Sequence, residues 1–172
     1  YSASFTEQGK HQEQIQYMDG LGNVRQSIGF VNGKEKKAVV GEAIYDYNGR
    51  VAAEILPSVT KNNGLEFYNS YNHNFIDGDV KLYSPDAMNT AYGSGNFYSD
   101  DNTSQKLLDK WLPDAGGYPY RRTIYRSDGT GRVRGSYLAG TDFKAGSGHG
   151  VTVYSSSADQ WTLDKLFGNE AG

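Results

Sequence analysis

The fold of this chain is decided by residues 44–51, which read Ile-Tyr-Asp-Tyr-Asn-Gly-Arg-Val. The dipeptide Asn48-Gly49 is a strong hairpin signal, because a type I′ turn needs two consecutive residues with positive φ. Alternating apolar residues precede and follow this dipeptide, from Val39 to Ile55. We therefore predict two antiparallel strands joined by a type I′ turn, with Pro57 ending the pair.

The same pattern occurs three times along the chain. A tyrosine is followed by an acidic turn, a glycine and usually an arginine, and then by an apolar residue. In such a turn the Asp side chain accepts backbone N–H bonds, and the arginine can lie over the tyrosine of its own hairpin. Each copy therefore predicts one hairpin. The repeat residues are Tyr17, Asp19, Gly20 and Gly22, then Tyr45, Asp46, Gly49 and Arg50, and finally Tyr125, Gly129, Gly131 and Arg132.

Other turn dipeptides and strand patterns extend this prediction. Asn32-Gly33, Asp77-Gly78 and Asp128-Gly129 mark further hairpin turns. Besides the central pair, we predict strands at residues 12–17, 24–31, 80–83, 122–126, 132–138 and 150–154. The fold class is therefore mainly β, built of antiparallel hairpins.

Two short helices interrupt the strands. The first is predicted at residues 103–112 and is ended by Pro113. The second is predicted at residues 157–167, with Ser157 as its N-cap and Gly168 after its last turn. Trp111 and Trp161 lie on the apolar stripes of these helices and are expected in the core. Residues 84–101 lack any steady period and predict an irregular excursion within a single unit spanning residues 1–172.

Composition excludes several classes of function. The 172 residues contain 17 Lys and Arg against 20 Asp and Glu, a net charge of −3, so no global positive field favours nucleic acid. No apolar run approaches the ~18 residues that a membrane span needs, so no membrane insertion is expected. The chain has no cysteine, which excludes thiolate chemistry and sulfur-ligated metals. It begins at Tyr1, and we interpret it as an excerpt of a longer polypeptide.

Catalytic chemistry is not expected either. The three histidines occupy separate polar contexts without a metal-ligand spacing, and His149 near Ser147 lacks a nucleophile elbow. The acidic pairs Asp77/Asp79 and Asp100/Asp101 are typical of turns, although a hydrolase needs only two converging carboxylates. We therefore predict no enzyme, no cofactor and no metal.

A cluster of tyrosines leaves a second class of function open. Polar aromatic side chains can stack on sugar rings, and they can equally pack across strands with their hydroxyls at the surface. A carbohydrate-binding or adhesive module is therefore the alternative to a purely structural role. The residues concerned are Tyr68, Tyr71, Tyr83, Tyr92 and Tyr98.

The repeats resemble the Rhs or YD-repeat family. Residues 45–50 are close to its consensus, and the blocks at 19–22, 119–125 and 146–149 resemble the amino-proximal portion of Bacteroidota Rhs proteins. Asn23 stands where that family prefers arginine, and Tyr125-Arg126 replaces its Tyr-Asp. The copies are also unevenly spaced, which favours a lead-in or plug over a regular turn of the wall.

This resemblance implies a fold and a role. YD hairpins wind into a spiralling β-sheet shell that encloses a carboxy-terminal effector or presents it at the cell surface. The implied partners are the rest of the same polypeptide, with further YD repeats and the effector, and a secretion channel or surface carrier. The implied location is secreted or cell surface, with export across the outer membrane by the type IX system. The expected function is that of a non-enzymatic structural segment.

Overall fold

The computed structural model describes residues 2–6, 9–31, 37–60, 62–72, 87–103 and 112–168. These residues form one eight-stranded antiparallel sheet in which the strands follow their order in the sequence. The mainly β class with two short helices, α1 (Gly93–Phe97) and α2 (Gln160–Phe167), is confirmed. The strands are β1 (Ser2–Thr6), β2 (Gly9–Met18), β3 (Val24–Val31), β4 (Lys37–Tyr45), β5 (Val51–Val59), β6 (Tyr120–Tyr125), β7 (Val133–Tyr137) and β8 (Val151–Thr152).

The three tyrosine-turn-glycine copies form the hairpins β2–β3, β4–β5 and β6–β7, as predicted. In each hairpin the register shifts beside the turn, where one strand carries an extra residue. Such bulges increase local twist and absorb odd loop lengths. The Asn32-Gly33 turn lies outside the described residues, although the strands on either side of it, β3 and β4, pair antiparallel.

The core lies on one face of the sheet, because residues that pair directly across strands share a face. Ile28 on β3 and Val40 on β4 are fully buried under Tyr68 of segment 62–72. A second cluster joins Ile44, Ala53, Ile55 and Tyr120 to Met88 of segment 87–103. Segments 62–72 and 87–103 therefore cover the same face of the sheet.

The prediction that Pro57 ends the β4–β5 pair is wrong. Strand β5 continues to Val59, and the register jumps from Ile55 opposite Glu42 to Ser58 opposite Val40. Pro57 therefore falls in a bulge, where its missing N–H removes no ladder hydrogen bond.

Several element boundaries differ from the sequence prediction. Strand β1 was not predicted, β8 is shorter than residues 150–154, and α1 lies within the predicted irregular excursion. Helix α2 begins three residues after the predicted start, because the Asp159 side chain, not Ser157, accepts the Thr162 N–H at 2.8 Å. Gly168 has φ +83°, as expected after a helix end.

Some predictions fall outside the described residues. The turn at Asp77-Gly78, the strand at 80–83 and most of the helix at 103–112, including Trp111, belong to this group. Trp161 is described, and the prediction that it lies in the core is wrong, because 68% of it is exposed. In the described part of the chain, neither helix has the length and apolar character of a membrane span.

Candidate functional site: the linked hairpin turns

The second hairpin turn is organised by the carboxylate of Asp46. Its Oδ1 accepts the backbone N–H groups of Asn48 and Arg50, each at 2.9 Å. Its Oδ2 accepts Arg50 Nε at 2.7 Å and lies 2.6 Å from Arg50 Nη2. Burial by itself would raise the pKa of Asp46, but the hydrogen bonds from Arg50 and Asn48 outweigh it, so the pKa is lowered. Asp46 is therefore a buried carboxylate that holds the turn together.

The first hairpin turn uses the same arrangement with a different partner. Asp19 Oδ1 accepts the N–H groups of Leu21 and Asn23, each at 2.9 Å. Asp19 Oδ2 accepts the Asn23 side-chain amide at 3.0 Å, and this bond is the largest of those that lower the pKa of Asp19. Asn23 thus takes the place that Arg50 has in the second turn.

The third turn is wider. The Arg126 N–H donates to the Arg132 carbonyl at 2.8 Å and closes a five-residue loop over residues 127–131. Asp128 Oδ1 accepts the Thr130 N–H at 3.0 Å, and its Oδ2 accepts Arg132 Nη2 at 3.2 Å. The contact between an aspartate and the residue four positions later is therefore common to all three turns.

The prediction of type I′ turns is wrong for the three turns that the structure describes. The Gly22 N–H donates to Asp19 O at 3.0 Å and the Gly49 N–H to Asp46 O at 2.9 Å, with φ of +83° and +73° at these glycines. Ser70 is the only non-glycine with positive φ in the described part of the chain. The first two turns therefore match three-residue loops with a single left-handed glycine. In the first copy that glycine is Gly22, not Gly20.

Successive hairpins are linked by a tyrosine and an arginine. Tyr45, at the end of β4, donates its hydroxyl to the carbonyl of Val24 at 3.0 Å, and the Arg25 guanidinium lies 5.9 Å from the Tyr45 ring centroid. We call a tyrosine that bonds to the preceding hairpin in this way a linking tyrosine.

The link between the second and third hairpins repeats the tyrosine bond, but its arginine precedes the bonded valine, whereas Arg25 follows Val24. Tyr125 donates its hydroxyl to the Val51 carbonyl at 3.0 Å, and Arg50 lies 4.3 Å above the Tyr125 ring. The expectation that Arg50 stacks within its own hairpin is therefore corrected, since the ring beneath it comes from the next hairpin. Arg50 joins its own turn, through Asp46, to the following strand.

Tyr17 has no preceding hairpin among the described residues and bonds elsewhere. Its hydroxyl donates to the Leu65 carbonyl at 2.7 Å, and its ring meets Phe67 edge-on at 5.5 Å between centroids. The first tyrosine of the repeat therefore fastens segment 62–72 to the sheet.

A buried polar cluster, which the sequence analysis did not identify, fastens both covering segments to the sheet. Gln26 exchanges two hydrogen bonds with the Tyr68 backbone, at 2.9 and 3.0 Å. Ser94 Oγ donates to the Leu56 carbonyl at 2.8 Å and lies 2.9 Å from Ser58 Oγ. These polar residues lie among alternating apolar ones, and no local signal distinguishes such partners from surface residues.

Glu42 is the acidic member of this cluster. Its Oε2 accepts the Asn72 side-chain amide at 2.7 Å, while Asn72 Oδ1 accepts the Ser94 N–H at 2.8 Å. Burial raises the pKa of Glu42, and the bonds from Asn72 and Gln26 only partly oppose that effect. The cluster thus holds a carboxyl group in an environment that disfavours its charge.

The five tyrosines of the alternative binding prediction have different environments. Tyr68 is buried against Ile28, and its ring is tilted 56° from that of Tyr71. Tyr71 lies 2.9 Å from Ser58 Oγ, and Tyr98 donates to the Pro57 carbonyl at 2.7 Å. Tyr92 is half-exposed, and Tyr83 is outside the described residues. Tyr68 and Tyr71 therefore belong to the covered face of the sheet and present no shared open platform.

The residues considered for catalysis do not converge in the described part of the chain. The His149 ring binds the Asp142 carbonyl at 2.8 Å, whereas Ser147 Oγ accepts the His149 backbone N–H. Asp101 accepts the Thr90 hydroxyl. Over the described ranges, no three His, Asp or Glu side chains are placed to hold a metal ion.

Comparison with known families adds one finding. The family model described as Domain of unknown function (DUF6443) matches residues 2–156, which include all eight strands. A search of curated proteins found no match.

Proposed function

We propose that this chain, which belongs to the DUF6443 family, acts as a non-enzymatic structural segment of a larger secreted or surface protein of the Rhs or YD-repeat type. In this role its sheet is one stretch of a hairpin wall, or the lead-in to that wall, which encloses or presents an effector. Its partners are the neighbouring hairpins of the same polypeptide, and its route to the surface is the type IX secretion system.

One observation carries this proposal, namely that the link between hairpins recurs. Tyr45 and Tyr125 each bond to the carbonyl of the first residue of the preceding returning strand, at the same distance of 3.0 Å. Such a contact involves only two neighbouring hairpins, so it does not depend on where the sheet begins or ends. Arrays in which each unit contacts only its neighbours are the arrangement by which repeat proteins extend.

The distribution of polar groups also supports a structural role. The buried carboxylate of Asp46 is saturated by hydrogen bonds from its own turn, which leaves it no free lone pair for chemistry. Glu42 is half-buried, and its carboxylate accepts the Asn72 side-chain amide at 2.7 Å. General acid–base catalysis on a glycosidic bond would need two carboxyl groups flanking one cleft.

The decisive experiment is electron cryomicroscopy of the complete gene product. We expect the eight-stranded sheet to continue into further hairpins that surround a cavity. A complete protein in which residues 2–168 form a separate domain on a flexible tether would contradict the proposal.

A second experiment separates a structural role from a catalytic one. The purified chain and its Arg50→Ala variant are assayed for hydrolysis of glycans and peptides, and both are melted. We expect no turnover from either protein and a lower melting temperature for the variant, because Arg50 connects Asp46 to Tyr125. Turnover by the parent that is lost in a variant of unchanged melting temperature would make Arg50 catalytic.

A further inference from the structure

The outer edge of β8 ends the described sheet on its carboxy-terminal side. Thr152 pairs with Gly135 of β7, and the Val153 N–H donates to the Arg134 carbonyl at 2.9 Å. In an antiparallel ladder, successive residues direct their N–H and C=O groups to opposite sides. The backbone groups of Thr152 are therefore directed away from β7, toward the open edge.

The side chains along this edge are apolar and exposed. Val151 is 65% exposed, Val153 45% and Tyr154 89%. Exposed β-branched and aromatic side chains on an edge strand favour the addition of another strand, and proteins normally protect such edges. The edge of β8 thus has both the backbone groups and the side chains that a further strand would cover.

Two arginines lie beside this edge. They belong to residues 121–134, which hold five of the seven arginines of the chain and one acidic residue, Asp128, whereas Arg121 and Arg122 of this run lie at the other end of the hairpin. Arg132 already engages Asp128 at 3.2 Å. Arg126 and Arg134 line a groove together with Asp128, Thr152 and Tyr154, and Arg126 Nη2 donates to the Val153 carbonyl at 3.1 Å. The local charge is therefore positive in a chain whose net charge is −3.

We propose that the open edge of β8 binds an antiparallel strand of a partner segment that is acidic and rich in β-branched residues. Main-chain bonds to Thr152 supply the pairing, the exposed valines supply the apolar contact, and Arg134 selects for carboxylates. This inference rests on the proposed function, because it specifies where the wall continues and the chemistry of the strand that continues it.

The test uses two synthetic octapeptides with the whole 172-residue chain. Val153 pairs with Arg134 and Val151 with Ser136, so Arg134 and both valines lie on one face of the sheet, and the peptide must present its valines and its carboxylates on one face. The acidic peptide is Thr-Val-Thr-Glu-Thr-Val-Thr-Glu, and its counterpart carries lysine in place of each glutamate. NMR shift changes measure the affinity, and hydrogen exchange at Thr152 measures strand pairing. We expect the acidic peptide to bind about tenfold more tightly at low salt, to lose affinity as salt is added, and to slow exchange at Thr152.

Two variants and one matched control assign the binding to this edge. Thr152→Pro removes the outward N–H and should abolish binding with little effect on melting, because Val153 keeps its bond to Arg134. Arg134→Gln should weaken binding of the acidic peptide about fivefold. Arg121→Gln removes the same charge from the same hairpin, opposite Glu54 and outside this groove, and should leave binding unchanged.

Four results would overturn the proposal. These are equal affinity for the two peptides, no binding of either, peptide-induced shifts confined to β1, and concentration-dependent protection of Thr152 by a second copy of the chain without peptide. The wall proposal is judged independently by microscopy of the complete protein. If microscopy showed a continuous wall but the two peptides bound equally, only the β8 inference would be rejected. If the acidic peptide bound selectively but microscopy showed a tethered domain, only the wall proposal would be rejected.

Discussion

Arg50 connects its own turn to β6, a strand that is distant in sequence. Its guanidinium binds Asp46 in its own turn and lies over Tyr125, whose hydroxyl bonds to Val51. The guanidinium is thus held by an ion pair with Asp46 on one side and by the Tyr125 ring on the other. A lysine has no planar group and could not make both contacts in this way. The stability of each link therefore depends on side chains from two hairpins.

The hydroxyl of the linking tyrosine should contribute measurably to stability. Tyr125→Phe keeps the ring under Arg50 but removes the bond to the Val51 carbonyl, so we expect the free energy of unfolding to fall by about 0.5–1.5 kcal/mol. Urea denaturation of both proteins measures the change. Tyr47→Phe is the control, because 87% of Tyr47 is exposed, and a loss as large as that of Tyr125→Phe would refute the role of the link.

The carboxylate of Asp46 should stabilise the fold only when it is charged. Its pKa is lower in the folded than in the unfolded chain, so its contribution is present above its ordinary pKa of 3.8 and is lost as the pH falls through the folded value. Asp46→Asn should cost about 1.5–3 kcal/mol at pH 7 and progressively less in acid. Denaturation series from pH 7 to pH 2 test this, with the exposed Asp100→Asn as control. If the difference in unfolding free energy between the parent and Asp46→Asn did not change with pH, this role of the charged carboxylate would be contradicted.

Glu42 should have the opposite pH dependence. Burial raises its pKa in the folded state above the ordinary value of 4.5, so the folded chain holds the proton more tightly than the unfolded chain. Stability should therefore fall as the pH rises from 4.5 through the folded pKa. Glu42→Gln cannot titrate, and its stability should be flat across this window. If the stability of the parent chain were equally independent of pH in this window, Glu42 would not be in a desolvated site.

At the scale of single residues, contacts within one turn could be predicted from the sequence, whereas contacts between distant residues could not. The roles of Asp46 and Gly49 follow from a turn of a few residues, so the sequence predicted them. The position of Tyr125 over Arg50 spans 75 residues of chain and depends on sheet register, which no local pattern encodes. Gln26 and Asn72 are hydrogen-bonded partners in a buried cluster, yet their residue types are those of an ordinary surface.

At the scale of elements, segment 87–103 is fastened by close backbone contact. Helix α1 has only five residues and no side-chain N-cap, so its own hydrogen bonds cannot stabilise it in isolation. Its position depends on Gly93, whose φ is +49° and where an added Cβ would lie 2.3 Å from the Tyr71 carbonyl oxygen. The helix exists because tertiary contacts hold it, which is why sequence periodicity did not reveal it.

Gly93→Ala should therefore release this segment. The new methyl group would clash with backbone, so we expect a loss of about 3 kcal/mol or more. Gly146→Ala is the matched control, because Gly146 also has positive φ but no atom near an added Cβ, and should cost only about 1–2 kcal/mol. Hydrogen exchange at Ser94 measures the detachment. Equal losses for the two variants would show that the close contact is unimportant.

At the scale of the whole molecule, the sheet and the last described residues behave as different parts. Residues 153–160 are exposed, and α2 has no buried residue, with Trp161, Leu166 and Phe167 each more than 60% exposed. The amphipathic sequence of α2 predicts a core helix, but periodicity shows only that a helix has an apolar face. It does not show whether another element covers that face. The hairpins of the sheet, in contrast, were predictable because each joins strands that are close in sequence, whereas the pairing of β5 with β6 joins distant residues such as Ile55 and Tyr120.

Removing this last part should leave the sheet intact. A chain truncated after Tyr154 should melt within about 2 °C of the full chain, since the lost residues bury almost no apolar surface. Limited chymotrypsin digestion should cut first at Tyr154 and Trp161, as mass spectrometry of the fragments will show. Early cuts within β2 to β7, or a melting temperature lowered by truncation, would mean that α2 supports the fold.

The in-line order of the strands has a mechanical consequence. A pull on the two ends of the chain reaches the outermost strands first, where it opens the ladder one hydrogen bond at a time. No strand is trapped between two others that come later in the sequence, so each hairpin can be peeled away and laid down again in sequence order. The chain could therefore be drawn through a narrow pore and rebuild its sheet, hairpin by hairpin, as it emerged.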